Sequence, residues 1–419
     1  MKALTKNHFI LAAEQFGTPL FLYHADVIKH AYNQLRRLLA SSCDIFYSMK
    51  ANPALAICQY LNKLGSNCEV SSKNELLTAL QAGFLPQQII FVGPGKNDEE
   101  ITLCIQKKIK SIVCESVEEI CRVNVLSKKY HKKTSILIRI NPDFQVTKAP
   151  IKMSGVATQF GIDTQILIKN MNYILAFKFI SIDGIQIFNA SRVLDSDALY
   201  ENAKNILQLA DQLSRQFSIE WKTIDIGGGF GIPYFANEEA LCISTLISKI
   251  SVLFQMYNIS HPATRFIVEL GRYLVSESGY LITSVQSVKE SHGKHFAIVD
   301  GGMHCYFSAT GLSSFVHRNF PMQFILQAPD INYKQINYNV TGPLCTPGDV
   351  LLKDVVLPPL KKGDKIILSN VGAYGLSASP GRFLSHGSPS EILYVHNKLH
   401  CIRRKETLND ILSTQLEIN

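Results

Sequence analysis

Short apolar runs alternate with longer amphipathic stretches over the first two thirds of the chain. The runs are rich in β-branched residues, which favours strands, and the stretches between them carry apolar residues at helical spacing. The pattern predicts strands at 44–48, 68–70, 89–93, 111–114, 135–140, 181–187, 223–227 and 264–270, with helices between them such as 73–83 and 195–217. Eight strands alternating with helices predict an α/β fold, a closed parallel (β/α)8 TIM-like barrel, because such a sheet must bury both faces.

The pattern changes near residue 280, where helix signals become scarce. Short alternating segments at 280–288, 295–302, 365–372 and 391–397 predict strands of a C-terminal antiparallel β domain. The apolar segment TPLFLYHADV, near residue 20, is predicted to add an N-terminal strand to it. We therefore expect a barrel domain over 26–275 and a β-rich domain formed by 1–25 together with 276–419.

Composition fits two globular domains, with 419 residues, 46% of them hydrophobic and 18% charged. The sequence shows no apolar run near the ~20 residues that span a bilayer and no secretory signal, so a cytoplasmic protein without a membrane partner is expected. The ten cysteines form no C-x-x-C pair, so neither a metal site nor a disulfide framework is predicted. The formal net charge is +8. We interpret the clusters QKKIK and KKYHKK as solvated helix faces, with an acidic partner as the alternative and no nucleic acid expected.

Polar residues fall where the predicted barrel strands end, which is where barrel enzymes carry their chemistry. Lys50 follows the first strand. A lysine at a strand end often only extends to solvent. In a desolvated site its amine becomes a nucleophile that can hold an aldehyde cofactor as an imine. The choice between these two interpretations depends on the residues around it.

Two other rim segments supply candidate partners. Gly227–Gly229 follow the seventh strand; such a triplet often forms only a turn, but at this position of a barrel it suits a phosphate. Glu269 closes the eighth strand and Arg272 follows it. A buried carboxylate is costly unless paired. Glu269 therefore either forms a salt bridge with Arg272 or keeps a pyridine nitrogen protonated, which makes the ring an electron sink.

A series of motifs extends over nearly the whole chain. They are FYSMKANP, EVSSKNEL, QFGID, IDIGGGFGIPY, VELGRYLVSESG, VDGGMH, GPLCTPGDVL and GAYGLSAS, in that order. Together they resemble the fold-type III pyridoxal-phosphate decarboxylases, the diaminopimelate/ornithine/arginine decarboxylase family. The resemblance implies an alanine racemase-like fold, pyridoxal 5′-phosphate as cofactor, and a homodimer whose active sites lie at the subunit interface. It also implies a carboxy-lyase that releases CO₂ from the α carbon through a Schiff base and a quinonoid intermediate.

The resemblance also implies roles for single residues. Lys50 would form the Schiff base, Glu269 would pair with the ring nitrogen, and Cys345, from the second subunit, would be the general acid; a buried apolar thiol is the alternative for Cys345. Cofactor binding is implied for Lys50, Phe188, Ser191, Gly227, Gly228, Gly229, Glu269, Gly271, Arg272 and Tyr374. Substrate binding is implied for Arg272, Arg318, Thr346, Asp349 and Tyr374.

Two positions depart from the family pattern. The family stretch H-I-G-S reads Phe188-Asn189-Ala190-Ser191. This keeps an aromatic face for stacking but loses any proton transfer by the histidine. Thr346 stands where the diaminopimelate group has a glutamate for the distal amine of its substrate. Because an uncompensated charge in a closed site is expensive, this change disfavours a charged distal group.

The segments CTP, FVGPGKNDEE, RNFP and GAYGLSASPGRFLSH are similar to an offshoot of the family. It contains exosortase-associated decarboxylases and others that act on an amino acid held by an acyl-carrier protein. We expect a carrier-tethered or small amino acid as substrate, with free diaminopimelate, giving L-lysine, as the alternative. A non-catalytic homologue that binds a regulator is a further alternative. It is disfavoured because the lysine, the thiol and the glycine loop are all retained.

Overall fold

The computed structural model describes residues 3–146, 151–235, 237–312, 317–328 and 334–418. The chain divides into two compact units. The barrel unit comprises 31–233 and 239–274, and the β-rich unit comprises 1–30, 234–238 and 275–419. In the described part of the chain, no helix has the length and apolarity needed to cross a membrane.

The barrel unit contains a closed ring of eight parallel strands. In chain order, barrel strands one to eight are Cys43–Ser48, Asn67–Val70, Ile89–Phe91, Ser111–Cys114, Thr134–Asn141, Ile180–Gln186, Thr223–Gly228 and Arg265–Leu270. Each pairs with its neighbours along the chain, and strand one pairs with strand eight. A short strand, Ile162–Asp163, adds to strand five, and Ile151–Lys152 pairs separately with Ala190–Ser191. The predicted barrel is confirmed.

Helices follow the barrel strands. They are Leu55–Lys63, Lys73–Gln81, Asp98–Lys107, Val117–Lys129, Thr164–Leu175, Ser196–Phe217, Ile243–Ser260 and Arg272–Val275, and Ala25–Leu38 precedes the first strand. Local chemistry sets their ends: Asn97 and Glu100 cap the helix Asp98–Lys107 reciprocally, and Lys108 ends it in a left-handed conformation. Both lysine clusters lie at helix C-termini, where their charges complement the helix dipole.

Apolar side chains fill the barrel, among them Phe46, Ile90, Val92, Val113, Leu137 and Ile267. Buried polar side chains interrupt this interior, among them Glu69, Gln186, Asp225 and Glu269. These four residues lie on strands two, six, seven and eight. Because burying such groups costs free energy unless they find partners, they mark the part of the barrel with a chemical role.

The β-rich unit is a mostly antiparallel sheet. Its strands are Leu20–His24, Gly279–Ser291, Lys294–Val299, Met322–Ile325, Ile336–Thr341, Val350–Leu357, Lys365–Ser369, Ser390–Val395 and Lys398–Arg403. Two helices, Lys6–Phe16 and Leu408–Leu412, also belong to it. The N-terminal strand Leu20–His24 joins this sheet, between Gly279–Ser291 and Ser390–Val395.

The predicted antiparallel character is confirmed for most of the sheet, and two strand pairs in it are parallel. Leu20–His24 runs parallel to Ser390–Val395, and Lys294–Val299 runs parallel to Ile336–Thr341. Both pairs join distant segments, so no tight hairpin fixes an antiparallel direction. In the first pair, the whole barrel lies between the two strands along the chain.

Candidate active site

Lys50 lies in a single 3-10 turn, Met49–Ala51, directly after barrel strand one. Its Nζ donates to both carboxylate oxygens of Glu69, at 2.9 Å and 3.1 Å. The Glu69 side chain is fully buried, whereas 40% of the Lys50 side chain is exposed. Lys50 is therefore held at the barrel mouth by a buried partner. A lysine that only extends to solvent would need no such partner.

Glu69 is an ionised acceptor for this lysine. Burial alone would raise the pKa of Glu69. The Lys50 ammonium and hydrogen bonds from Ser48, Lys50 and Ser71 outweigh burial, so the pKa is lowered. Ser71 donates its hydroxyl to Oε1 at 3.1 Å. The strand pairing of Ser48 with Glu69 brings the carboxylate to the turn that carries Lys50.

Phe188 borders the same space. Its ring centroid lies 5.7 Å from Nζ of Lys50. It also lies against Gly227, where an added Cβ would be 2.8 Å from Cδ2 of Phe188. Lys50, Phe188 and the end of strand seven therefore border one region of the barrel mouth.

The glycine triplet lets strand seven close on its neighbours. Gly227 and Gly229 have positive φ, 65° and 82°, a conformation that glycine adopts without strain. A Cβ on Gly228 would lie 1.8 Å from the carbonyl oxygen of Glu269. Val193 donates its N–H to the Gly229 carbonyl at 2.9 Å, which ties the loop to the segment that follows Ser191.

Glu269 is 2% exposed and accepts a hydrogen bond from Nε2 of Gln186 at 3.0 Å. Burial and the charge of Glu69 raise its pKa, and the Lys50 ammonium opposes that rise. A cation placed against Glu269 would lower the cost of its ionisation. Neither predicted alternative, a salt bridge with Arg272 or a pairing with a ring nitrogen, included this neutral donor.

The end of strand eight packs against the lysine turn. A Cβ on Gly271 would lie 2.8 Å from Cβ of Ala51 and 3.1 Å from the Ser48 carbonyl oxygen. Arg272 is the first residue of the following helix and is half-buried. The barrel unit thus holds Lys50, Phe188, Ser191, Gly227–Gly229, Glu269, Gly271 and Arg272 on the C-terminal side of its strands.

Three predicted residues share one turn of the β-rich unit. Cys345 is exposed rather than buried, Thr346 is half-buried and Asp349 is buried. Oδ1 of Asp349 accepts the N–H of Met303 at 2.6 Å, and Oδ2 accepts the N–H of Leu344 at 2.9 Å. These two hydrogen bonds fix the segment that carries Cys345. The sequence predicted only a contact with substrate for Asp349.

The other two predicted residues lie elsewhere in this unit. Tyr374 is half-buried and has a positive φ of 54°, a left-handed conformation that residues other than glycine adopt infrequently. The Arg318 guanidinium lies 4.9 Å from the Phe235 ring centroid and 3.6 Å from Oε1 of Glu238. Half of the Arg318 side chain is exposed, so its charge can still meet a ligand.

Sequence reasoning assigned no role to Glu69, Gln186 or Asp225. A usable signal was present for Glu69 and Asp225, because each is flanked by two apolar residues within its strand, in CEV and IDI. A buried strand admits such a residue only where a partner offsets its desolvation.

Comparison with known proteins finds decarboxylases. Residues 25–276 match the family model described as "Pyridoxal-dependent decarboxylase, pyridoxal binding domain". The L-glutamyl-[BtrI acyl-carrier protein] decarboxylase of Niallia circulans is 38% identical over 96% of this chain and 95% of its own length. The diaminopimelate decarboxylase of Aquifex aeolicus is 28% identical over 97% and 93%. The crystal structure of diaminopimelate decarboxylase from Helicobacter pylori complexed with L-lysine superposes with a TM-score of 0.87 at 28% identity, covering 97% and 98% of the chains.

Proposed function

Since this chain belongs to the pyridoxal-dependent decarboxylases, enzymes that use pyridoxal 5′-phosphate, we propose that its substrate is an amino acid held by an acyl-carrier protein. The observation that carries the proposal is the 38% identity to the carrier-linked glutamyl decarboxylase, against 28% to the diaminopimelate decarboxylase of A. aeolicus. Thr346 supports it, because a tethered side chain ends in a neutral thioester and needs no carboxylate partner.

The chemistry of decarboxylation sets the point of attachment. The α-amine must be free to join the cofactor, and the α-carboxylate must be free to leave. The carrier must therefore be linked through the side chain, which for a glutamyl group is the γ-carboxyl. The bond from Cα to the carboxylate breaks, CO₂ leaves, and a proton takes its place on Cα. The product is a 4-aminobutyryl carrier protein.

The described residues fit the cofactor. When bound, pyridoxal phosphate supplies an aldehyde for the amine and a ring that accepts the electron pair released at Cα. Lys50 would hold the aldehyde and Glu269 the ring nitrogen. Phe188 would lie against the ring face. The phosphate would be held by Ser191, Gly227–Gly229, Gly271, Arg272 and Tyr374.

Glu69 would position the lysine between turnovers. Both of its oxygens lie within hydrogen-bonding distance of Nζ of Lys50. Because the pKa of Glu69 is lowered, this carboxylate is a weak base. It therefore orients the ammonium and keeps it at the barrel mouth rather than removing its proton.

Cys345 would deliver the proton to Cα. Its thiol is exposed on the turn braced by Asp349. We infer that it serves the barrel of a second chain in a homodimer, with Arg318 and Thr346 beside the substrate. An acidic carrier protein would also suit a chain whose formal net charge is +8.

The test is a substrate panel. Purified protein loaded with cofactor is incubated with a γ-glutamyl carrier protein, free L-glutamate, diaminopimelate, lysine, ornithine and arginine, while CO₂ and product mass are measured. We expect loss of CO₂ from the carrier-bound group, with Lys50→Ala as the inactive control. Conversion of diaminopimelate to lysine without turnover of the carrier substrate would support the second candidate, diaminopimelate decarboxylation, which the H. pylori superposition favours.

A further inference from the structure

Three buried acidic side chains of the barrel interact with one another, and one of them pairs with Lys50. Glu69, Asp225 and Glu269 are 1%, 0% and 2% exposed. Lys50 pairs with Glu69. If all three were ionised, two buried negative charges would remain beside the pair, which is costly in a low-dielectric interior.

Asp225 connects two parts of the site. Its Oδ1 accepts the backbone N–H of Gly227 at 2.8 Å. Its Oδ2 is buried and receives no donor from the described residues. In the pairing of strands seven and eight, Asp225 stands opposite Ile267. Glu269, two residues further along strand eight, therefore faces the same side of the sheet, and the two carboxyl groups interact. One side chain thus touches both the glycine loop and the carboxylate assigned to the ring nitrogen.

A direct hydrogen bond between the two carboxyl groups requires one of them to be protonated, because an ionised carboxylate has no proton to donate. The better holder of that proton is Asp225. Burial and the neighbouring Glu269 raise the pKa of Asp225 well above its usual value. Glu269, by contrast, has a donor in Gln186 and an attractive charge in Lys50.

We propose that Asp225 is a positioning residue that stays protonated, donates its proton in a hydrogen bond to Glu269, and accepts the Gly227 N–H with its other oxygen. It thereby fixes Glu269 for the ring nitrogen and the glycine loop for the phosphate at the same time. The carboxyl donor also favours the ionised form of Glu269 without adding a second negative charge.

The inference rests on the proposed pairing of Glu269 with the cofactor ring, and goes beyond it by assigning a protonation state that exists without cofactor. Asparagine imitates the protonated acid, since its oxygen can accept from Gly227 and its NH₂ can donate to Glu269. Leucine has a similar volume and can do neither.

The first experiment compares cofactor binding. We expect Asp225→Asn to keep the dissociation constant for pyridoxal phosphate within about threefold of the wild-type value, and Asp225→Leu to raise it at least about tenfold. The decarboxylation rate should follow the same order. If Asp225→Asn instead weakens cofactor binding as much as Asp225→Leu does, Asp225 acts as an ionised carboxylate and the proposal is wrong.

The second experiment needs neither substrate nor cofactor. Infrared spectra of cofactor-free protein, carrying ¹³C in the side-chain carboxyl of aspartate, should contain a carbonyl band from a protonated acid at neutral pH. Asp225→Asn should lose this band. The control Asp183→Asn should keep it, because the hydrogen bond from Lys222 at 2.7 Å helps to lower the pKa of Asp183. Absence of the band from wild-type protein would overturn the proposal even if Glu269 does pair with the ring.

Discussion

Lys50 could be singled out from the sequence because an ammonium at the end of an apolar strand needs a reason. Its partner Glu69 could not be found in the same way. The two residues belong to different strands, and only the pairing of strand one with strand two brings them together. Single residues at strand ends are therefore predictable from the sequence, whereas the contacts between strands that give them their properties are not.

Removing the lysine should make stability depend on pH in a definite direction. The lowered pKa of Glu69 means that its pairing stabilises the fold above the unfolded pKa and is lost as pH falls through the folded value. Lys50→Ala leaves a buried carboxylate without its cation. We expect a loss of roughly 1–2 kcal/mol at pH 7, reduced because Lys50 is partly exposed, and a smaller loss at pH 5.

Urea unfolding at both pH values measures this effect. The double variant Lys50→Ala Glu69→Gln is the control, since it has no buried charge left to pair. It should be more stable at pH 7 than Lys50→Ala alone. Equal stabilities would show that the charge of Glu69 is not what the lysine offsets.

Replacing Glu69 by glutamine tests its role in holding the amine. The amide side chain would keep one acceptor oxygen but lose the charge, so we expect cofactor affinity to fall roughly tenfold. A titration followed by visible absorption measures it. Glu75→Gln is the matched control. It removes the charge of another carboxylate near Lys50, one that accepts the backbone N–H of Ser71. Equal affinities of both variants would contradict the assignment.

At the scale of elements, the sequence predicted the barrel strands well and the β-rich strands less completely. The barrel strands are mainly apolar and mostly buried, which gives short runs that are easy to recognise. In the β-rich unit, Val350–Leu357 contains Lys353 and Asp354, and Asp354 has a positive φ of 52°. Because these residues interrupt the alternation of apolar and polar positions, the segment shows no clear two-residue period. Met322–Ile325, Ile336–Thr341 and Lys398–Arg403 were also missed.

The close approach of strands seven and eight should make Gly228 intolerant of any side chain. A Cβ there would lie 1.8 Å from the Glu269 carbonyl oxygen, so Gly228→Ala must separate the two strands. We expect a loss of about 2–3 kcal/mol in stability and weaker cofactor binding. Denaturant unfolding is the measurement. Gly95→Ala, where nothing lies within 4 Å of the added Cβ, should change stability by less than about 0.5 kcal/mol.

At the scale of the whole molecule, the β-rich unit carries an acid-sensitive group. His304 is 2% exposed and stacks on His386 with ring centroids 4.7 Å apart. Burial, with the nearby His386 and Lys405, lowers the pKa of His304 to about 4 from 6.5. As the pH falls, His304 is therefore protonated in the unfolded chain before it is protonated in the folded protein. This contribution to stability is complete above pH 6.5 and is lost as the pH falls toward 4.

The pH profile of unfolding isolates this histidine. The wild-type protein should lose up to roughly 3 kcal/mol through His304 over that interval, and His304→Gln should show a correspondingly shallower slope. His400→Gln, at an exposed position, should keep the wild-type slope. If the His304→Gln slope is unchanged, the ring is not buried neutral in the folded protein.

The proposed assembly of the active site from two chains predicts complementation. Lys50→Ala and Cys345→Ser would each be nearly inactive alone, because each removes one half of every site. Mixed and allowed to exchange subunits, they should recover up to about a quarter of wild-type activity, since half of the dimers are hybrids with one intact site. No recovery in a mixture shown to contain hybrids would place both residues in one chain's site.

The order of segments in the β-rich unit has a consequence for synthesis on the ribosome. Leu20–His24 emerges early, but its neighbours Gly279–Ser291 and Ser390–Val395 follow only after the barrel has been made. The barrel strands are complete at Leu270, and N-terminal segments generally fold first. The nascent chain therefore carries an apolar strand without its sheet neighbours through most of its elongation, an exposure that ribosome-associated chaperones are suited to cover.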